Sequence, residues 1–129
     1  MLIHNAAAAI GAFKLTADKL ESQIATDLIG PFLFTKLVAP KLIEAKTATY
    51  TPRVVSLTSI FHEYAPGIDF ADMEHPVPAK YQPFAAYNQA KSAIILFAAE
   101  LCRRSEGVIN AYSVSPGGKF SFICGKRSL

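Results

Sequence analysis

Apolar and polar positions fall into distinct blocks along the 129 residues, and each block predicts an element. "MLIHN" is a short apolar run ending in polar residues, the pattern of a buried strand. An alanine-rich loop follows. In "LTADKLESQIATDLIGPFLFTKLVAPKLIEAK" the positions Leu20, Ile24, Leu28, Phe32, Leu33, Leu37 and Val38 recur at three- and four-residue steps, which predicts a helix. Thr16 is its expected N-cap, with Asp18 and Lys19 in the first turn. Pro31 and Pro40 are expected to kink or divide it. "TATYTP" breaks the period, and the β-branched run "RVVSLTS" suits a strand inside a parallel sheet. "IFHEYAPGIDFADMEHPVPAKYQP" holds four prolines and a glycine with no sustained period, and reads as a long loop. Loops of that length in a compact domain are usually functional or mobile. "AAYNQAKSAIILFAAELCRR" then carries one apolar stripe through Ala90, Ala93, Ile94, Phe97 and Leu101. Its basic C-terminal end suits the helix dipole, and Gly107 is expected to stop it. "VINAYSVS" alternates as a strand, ended by "PGG".

Strand, helix, strand, loop, helix, strand is the order of an α/β chain built from βαβ units around a parallel sheet. Functional groups in such sheets gather at the carboxyl ends of the strands. Three features fall there: Asn5 after the first strand, Ser59 after the second, and Pro116 with Gly117 after the third.

Composition narrows the class. With 51% apolar and 18% charged residues the chain is globular, one domain in length. No apolar run is long enough to span a bilayer, and "MLIHNAAAAI" lacks the basic start of a secretory signal. The protein is expected to be soluble and cytoplasmic. The net charge of +3 resides in the end of the chain: Lys119, Lys126 and Arg127 follow Gly118, and without them ten basic residues face ten acidic ones. No basic stripe for nucleic acid is visible. Residues 1–118 form the expected domain and 119–129 a basic tail. Cys102 and Cys124 match no metal or redox spacing, and His4, His62 and His75 form no ligand pattern. The cysteines are expected as free thiols and the histidines as surface or loop residues.

Tyr87 and Lys91 carry the candidate chemistry. Residues i and i+4 stack on one helix face, so both can point into one cleft. A phenol is a poor base at neutral pH. A lysine cation about 5 Å away, at an effective dielectric near 20, favours phenolate by on the order of 3 kcal/mol. Such a tyrosine exchanges a proton with an alcohol or carbonyl, and Ser59 can orient the same oxygen. No side chain accepts hydride, so the reaction calls for a nicotinamide cofactor. Taken singly, each of these features has an ordinary structural reading: a helix face, a turn serine, a loop cap, a Pro-Gly turn. Their order along the chain is what makes them informative.

In that order the residues resemble the short-chain dehydrogenase/reductase family, and its retinol-dehydrogenase-like branch in particular. "LIHNAA" is similar to the family's N-N-A-G segment after its fourth strand, with Asn5 retained, His4 in place of the first Asn and Ala7 in place of the Gly. "RVVSLTS" resembles the fifth strand, "YNQAK" the family's Y-x-x-x-K, and "VSPGG" the segment after the sixth strand. The long loop containing "IDFADM" points to the branch. The resemblance implies a partial Rossmann-type, doubly wound parallel sheet, its strands corresponding to the family's fourth to sixth. It implies interconversion of a small lipophilic alcohol and its carbonyl with NAD or NADP. Tyr87 would be the acid/base, Lys91 its electrostatic partner and ribose ligand, and Ser59 the substrate-orienting hydroxyl. Asn5, Pro116 and Gly117 would line the cofactor. A homodimer through the helices around 28–42 and 87–104 is implied too.

The departures are specific. "QIATDLIGPFLFTKL" resembles the segment of the family's catalytic asparagine, and Asp27 stands at that position. An ionised carboxylate accepts hydrogen bonds and cannot donate them as an amide does. The 129 residues contain no G-x-x-x-G-x-G loop, which would supply the anion site for the diphosphate. The chain is therefore expected to be an internal fragment, inactive alone and with an unpaired apolar edge on its first strand. A non-catalytic binding or dimerisation module and an incomplete gene model are the other readings. The segment "KFSFICGKRSL" matches nothing in the family, although Ser121 could stand where the family often has Thr.

Overall fold

The computed structural model describes residues 1–8, 10–74 and 77–117. The basic tail 119–129, with Ser121 and Cys124, and His75 lie outside the described residues. Three parallel strands, β1 (Leu2–His4), β2 (Arg53–Leu57) and β3 (Asn110–Val114), form one sheet in the order β1-β2-β3. Leu2 is paired with Val54, and Val54 in turn with Ala111; Ser56 lies opposite Ser113. The expected α/β architecture is present, with helical connections where parallel pairing requires crossovers.

The inner face of β2 and β3 is made of small residues, Val54, Ser56, Ala111 and Ser113, all buried. Helix α4 (Pro83–Arg104) lies against β2 and β3 and answers with Ala90, Ala93, Ile94 and Ala98, also buried. Small side chains on both surfaces bring the helix backbone close to the sheet. Thr58 Oγ1 donates to the Lys91 carbonyl at 2.7 Å across that contact. The basic end of α4 folds back on its own helix: hydrogen bonds from Arg103 and Arg104 hold the exposed Glu100 carboxyl down at about 2.

The first helical block differs from expectation at its start. Thr16 caps a tight turn instead of a helix: its carbonyl accepts from Lys19 N, its hydroxyl from Leu20 N, and Lys19 takes φ 63°. A left-handed residue cannot continue a right-handed helix, so α1 (Ser22–Ile24) begins after Glu21, whose carboxylate accepts from the amides of Gln23 and Ile24. The expected division at Pro31 takes the form of a widened turn. Proline has no N–H for the Asp27 carbonyl, and the chain passes through a π-helical turn (Ala25–Ile29) in which Gly30 N–H reaches back five residues to Ala25 O. Helix α2 (Gly30–Glu44) then continues through Pro40 to its end.

The long segment after β2 contains short helical pieces: a 3₁₀ turn at Ile60–Tyr64, α3 (Phe70–Glu74) and a 3₁₀ turn at Pro78–Lys80. Ile68 and Met73 from this segment pack on the core cluster of Ile24, Ala90 and Ala93. The segment is thus folded over the helices, and a plain-loop reading is corrected. The outer edge of β1 has no strand partner among the described residues, and Ile3 is half exposed there. None of the described helices is long and apolar enough to cross a membrane.

Candidate active site

The site is assembled at the carboxyl end of β2, where the loop after β1, the π-helical turn and the second and third turns of α4 converge. Tyr87 is half-buried and Lys91, one turn later, is 3% exposed. The Lys91 Nζ lies 5.3 Å from the centroid of the Tyr87 ring, over its face. The stacking expected from the i, i+4 spacing is therefore present. Lys91 also donates to the Leu57 carbonyl, the last residue of β2, over a long 3.4 Å.

Asp27 is the neighbour that most changes the picture. Its carboxylate is fully buried and its Oδ2 sits 2.8 Å from Lys91 Nζ. Its Oδ1 accepts from the Ala8 amide at 2.6 Å, in the loop after β1. The contact with Lys91 is an ion pair off the line of a hydrogen bond: Oδ2 has no aligned donor among the described residues. The widened turn imposed by Pro31 carries Asp27 on its inner side. A signal for this was present in the sequence, because Asp27 is three residues from Ile24 and next to Leu28, inside the apolar stripe where a charge needs a partner.

Ser59 lies where the second strand ends, but turned to local duty. It caps the 3₁₀ turn, its hydroxyl accepting from Phe61 N at 3.4 Å, while its carbonyl accepts from His62 N and lies 2.6 Å from His62 Nδ1. Among the described residues no hydrogen bond joins the Ser59 and Tyr87 hydroxyls. The two are linked through Phe61, whose ring meets Tyr87 edge-on at 6.1 Å. Asn5 is exposed after β1 and opens on a groove of ≈ 230 Å³ shared with Ile3, Thr26, Pro31 and Phe34. Pro116 and Gly117 are exposed beyond β3, directly after the buried Ser115. The structure thus joins Tyr87, Lys91 and Asp27 in one contact set, and leaves Ser59, Asn5, Pro116 and Gly117 outside it, beyond the carboxyl ends of the three strands.

His4, half-buried in β1, departs from the expectation of a surface or loop histidine, whereas His62 lies in the 3₁₀ turn of the long connection. His4 belongs to β1 and its Nε2 meets Thr35 Oγ1 at 2.7 Å; burial lowers its pKa. No group of His, Cys, Asp or Glu able to hold a metal occurs among the described residues.

A second polar cluster, unforeseen from sequence, fixes the entry to α4. Gln23, 1% exposed, donates from Nε2 to the Tyr81 hydroxyl at 2.6 Å and the Pro83 carbonyl at 3.2 Å. Tyr81 in turn donates to Glu21 Oε1 at 3.1 Å. Burial pushes the Tyr81 phenol up, with the Glu21 charge adding to it and the Gln23 bond opposing. The cluster ties the first turn of α4, and so the approach of Tyr87, to the start of α1.

No family model matches the chain. It is 39% identical to "Short-chain dehydrogenase TIC 32 A, chloroplastic" of Brassica napus over 123 residues, covering 91% of this chain and 38% of that protein. It is 36% identical to "Retinol dehydrogenase 13" of Homo sapiens over 118 residues, covering 91% of this chain and 34% of that protein. The chain therefore spans little more than a third of these relatives. Among solved structures, an uncharacterized protein from Mycobacterium Paratuberculosis superimposes with a TM-score of 0.76 at 35% identity, over 93% of this chain and 42% of that one. A 4-hydroxyisoleucine dehydrogenase mutant complexed with NADH and succinate shares the fold at TM-score 0.60 and 22% identity, over 90% and 42% of the two chains.

Proposed function

We propose that this chain, homologous over 91% of its length to short-chain dehydrogenases and retinol dehydrogenases, carries the proton-transfer half of an NAD(P)-dependent alcohol–carbonyl oxidoreductase site. The observation that supports it most is the buried Lys91 ammonium over the face of Tyr87 at the carboxyl end of the sheet. Tyr87 gives its hydroxyl proton to a carbonyl oxygen, or takes one from an alcohol. Lys91 brings its ammonium to that phenol from a buried position, 5.3 Å from the centre of the ring. Ser59 holds the substrate oxygen once its weak 3.4 Å bond from Phe61 N is exchanged for the substrate. The substrate class is a small lipophilic alcohol or carbonyl.

The donor set suits the nicotinamide end of NAD or NADP, with Asn5, Tyr87, Lys91, Pro116 and Gly117 around it. The Ser115 hydroxyl, next to Pro116 in the chain, is buried without a hydrogen-bond partner among the described residues, an atom that a bound polar group would satisfy. The cofactor supplies hydride transfer when bound. The 129 residues hold no glycine-rich loop for the diphosphate, so the chain assayed alone with NADH or NADPH and a panel of aldehydes and ketones is expected to be inactive. Replacing the matching segment of human retinol dehydrogenase 13 with residues 1–117 supplies that loop. The chimera is expected to turn over, and Tyr87→Phe to lower kcat about 10²-fold or more. Undiminished turnover by the Tyr87→Phe chimera would end this reading.

A second reading, a non-catalytic dimerisation module, is favoured by an apolar groove of ≈ 530 Å³ whose walls include Leu28, Phe32, Met73, Leu96 and Phe97.

A further inference from the structure

The family resemblance assigns Lys91 a free positive charge beside the phenol, but the buried geometry gives that charge a permanent counter-ion. We propose that Asp27 is a positioning residue that sets the charge Lys91 presents to Tyr87, so that the phenol faces a nearly neutral ion pair. The proposal rests on the reading of Tyr87 as acid/base and adds how strong a base this chain makes it.

The argument follows from what surrounds the ammonium. Asp27 Oδ2 lies 2.8 Å from Lys91 Nζ, and both side chains are shut from solvent at 0% and 3% exposure. Salt and solvent screen this pair less than they would a surface pair, so each charge is felt by its neighbours. The Ala8 amide fixes the other carboxylate oxygen at 2.6 Å, so the counter-ion cannot swing away without losing a charge-assisted hydrogen bond. On its free side the ammonium meets the Tyr87 ring at 5.3 Å and the Leu57 carbonyl at 3.4 Å. The 3₁₀ turn whose Phe61 ring packs on Tyr87 carries three titratable groups, His62, Glu63 and the exposed Tyr64. His62 is held on the Ser59 carbonyl, and Glu63 is exposed. Among the described residues none of the three bonds to Lys91, and the buried charges beside the phenol are those of the Asp27–Lys91 pair.

An amide at position 27 keeps the shape and removes the counter-charge. The 2.8 and 5.3 Å contacts put Asp27 at most about 8 Å from the ring, and at an effective dielectric near 20 the phenolate fraction of Tyr87 should rise on the order of thirtyfold in Asp27→Asn. Phenolate absorbs near-ultraviolet light distinctly from phenol. The Tyr87 signal is isolated from the other four tyrosines by subtracting the matched Tyr87→Phe spectrum at each pH in the mildly alkaline range. A larger Tyr87 phenolate fraction in Asp27→Asn than in the unaltered chain supports the proposal, and an equal or smaller one overturns it. Asp27→Asn leaves a buried cation unpaired and can unfold the chain, which circular dichroism detects. The double variant Asp27→Asn/Lys91→Met removes both charges and covers that case. It should lower the phenolate fraction of the unaltered chain by no more than about fivefold, and a fall as large as the rise expected in Asp27→Asn would overturn the proposal. The measurement needs neither cofactor nor turnover, so it stands apart from the chimera assay that tests the catalytic reading itself.

Discussion

Lys91 and His4 show how much a single side chain's surroundings decide. Lys91 is buried on an otherwise small-residue helix face because a carboxylate, a strand-end carbonyl and an aromatic ring receive its ammonium together. Removing one partner of such a pair costs about 3–5 kcal/mol, whereas removing both can be nearly neutral. His4 sits half-buried between the sheet edge and α2, bonded to Thr35. Burial depresses its pKa below the ordinary value of 6.5. The unfolded chain then binds the proton more readily than the folded one, so the His4 contribution is present above pH 6.5 and is lost as pH falls toward the folded value. The urea midpoint of the unaltered chain is expected to drop relative to His4→Gln between pH 7.5 and pH 5.5. A difference between the two proteins that does not change over that interval would contradict this assignment.

At the scale of elements, the decisive feature is how the first helix begins and widens. Glu21 caps α1 through two backbone amides and accepts from Tyr81, so one carboxylate joins the helix start to the segment preceding α4. Glu21→Ala is expected to lower stability by about 1–2 kcal/mol, the usual cost of an N-cap deletion. Glu21→Gln should recover part of that loss, because an amide oxygen still accepts; chemical denaturation of the three proteins distinguishes the cases. Had the cap been a surface ornament, all three would unfold alike. The π-helical turn after it follows from Pro31, and such turns recur at functional sites because they re-aim a side chain. Here the side chain is Asp27.

For the whole molecule, assembly turns on apolar surface. Helices α2 and α4 leave Phe32, Leu37 and Leu96 largely exposed, and the Phe32 and Phe97 rings meet edge-on across the groove between the helices. We propose that a second copy of the chain covers this groove, as the module reading requires. Size-exclusion chromatography with light scattering is expected to give twice the 14.0 kDa chain mass. Leu96→Asp, a change at an exposed position, should return the monomer. A monomer before any substitution would remove the module reading and leave the catalytic one standing.

The strands, the α4 stripe and the Tyr87–Lys91 stacking could be read from the chain because each depends on local spacing: period two, period 3.6, and four residues along one helix. Positions beyond the strand ends for Asn5, Ser59, Pro116 and Gly117 follow from the same spacing, and the strands end just before them. The start of the first helix does not follow from spacing, because Thr16 and Glu21 both accept from backbone amides and the left-handed Lys19 between them decides which one starts the helix. What spacing could not supply is the pairing of groups far apart in sequence. Asp27 with Lys91, Ala8 with Asp27, and Gln23 with Tyr81 meet only when the crossovers bring the helices and the sheet together. The sequence alone determined that a phenol and an ammonium share a helix face. Only the tertiary structure decided that the ammonium is buried against a carboxylate, because burial and the distance between remote charges are properties of the packed chain.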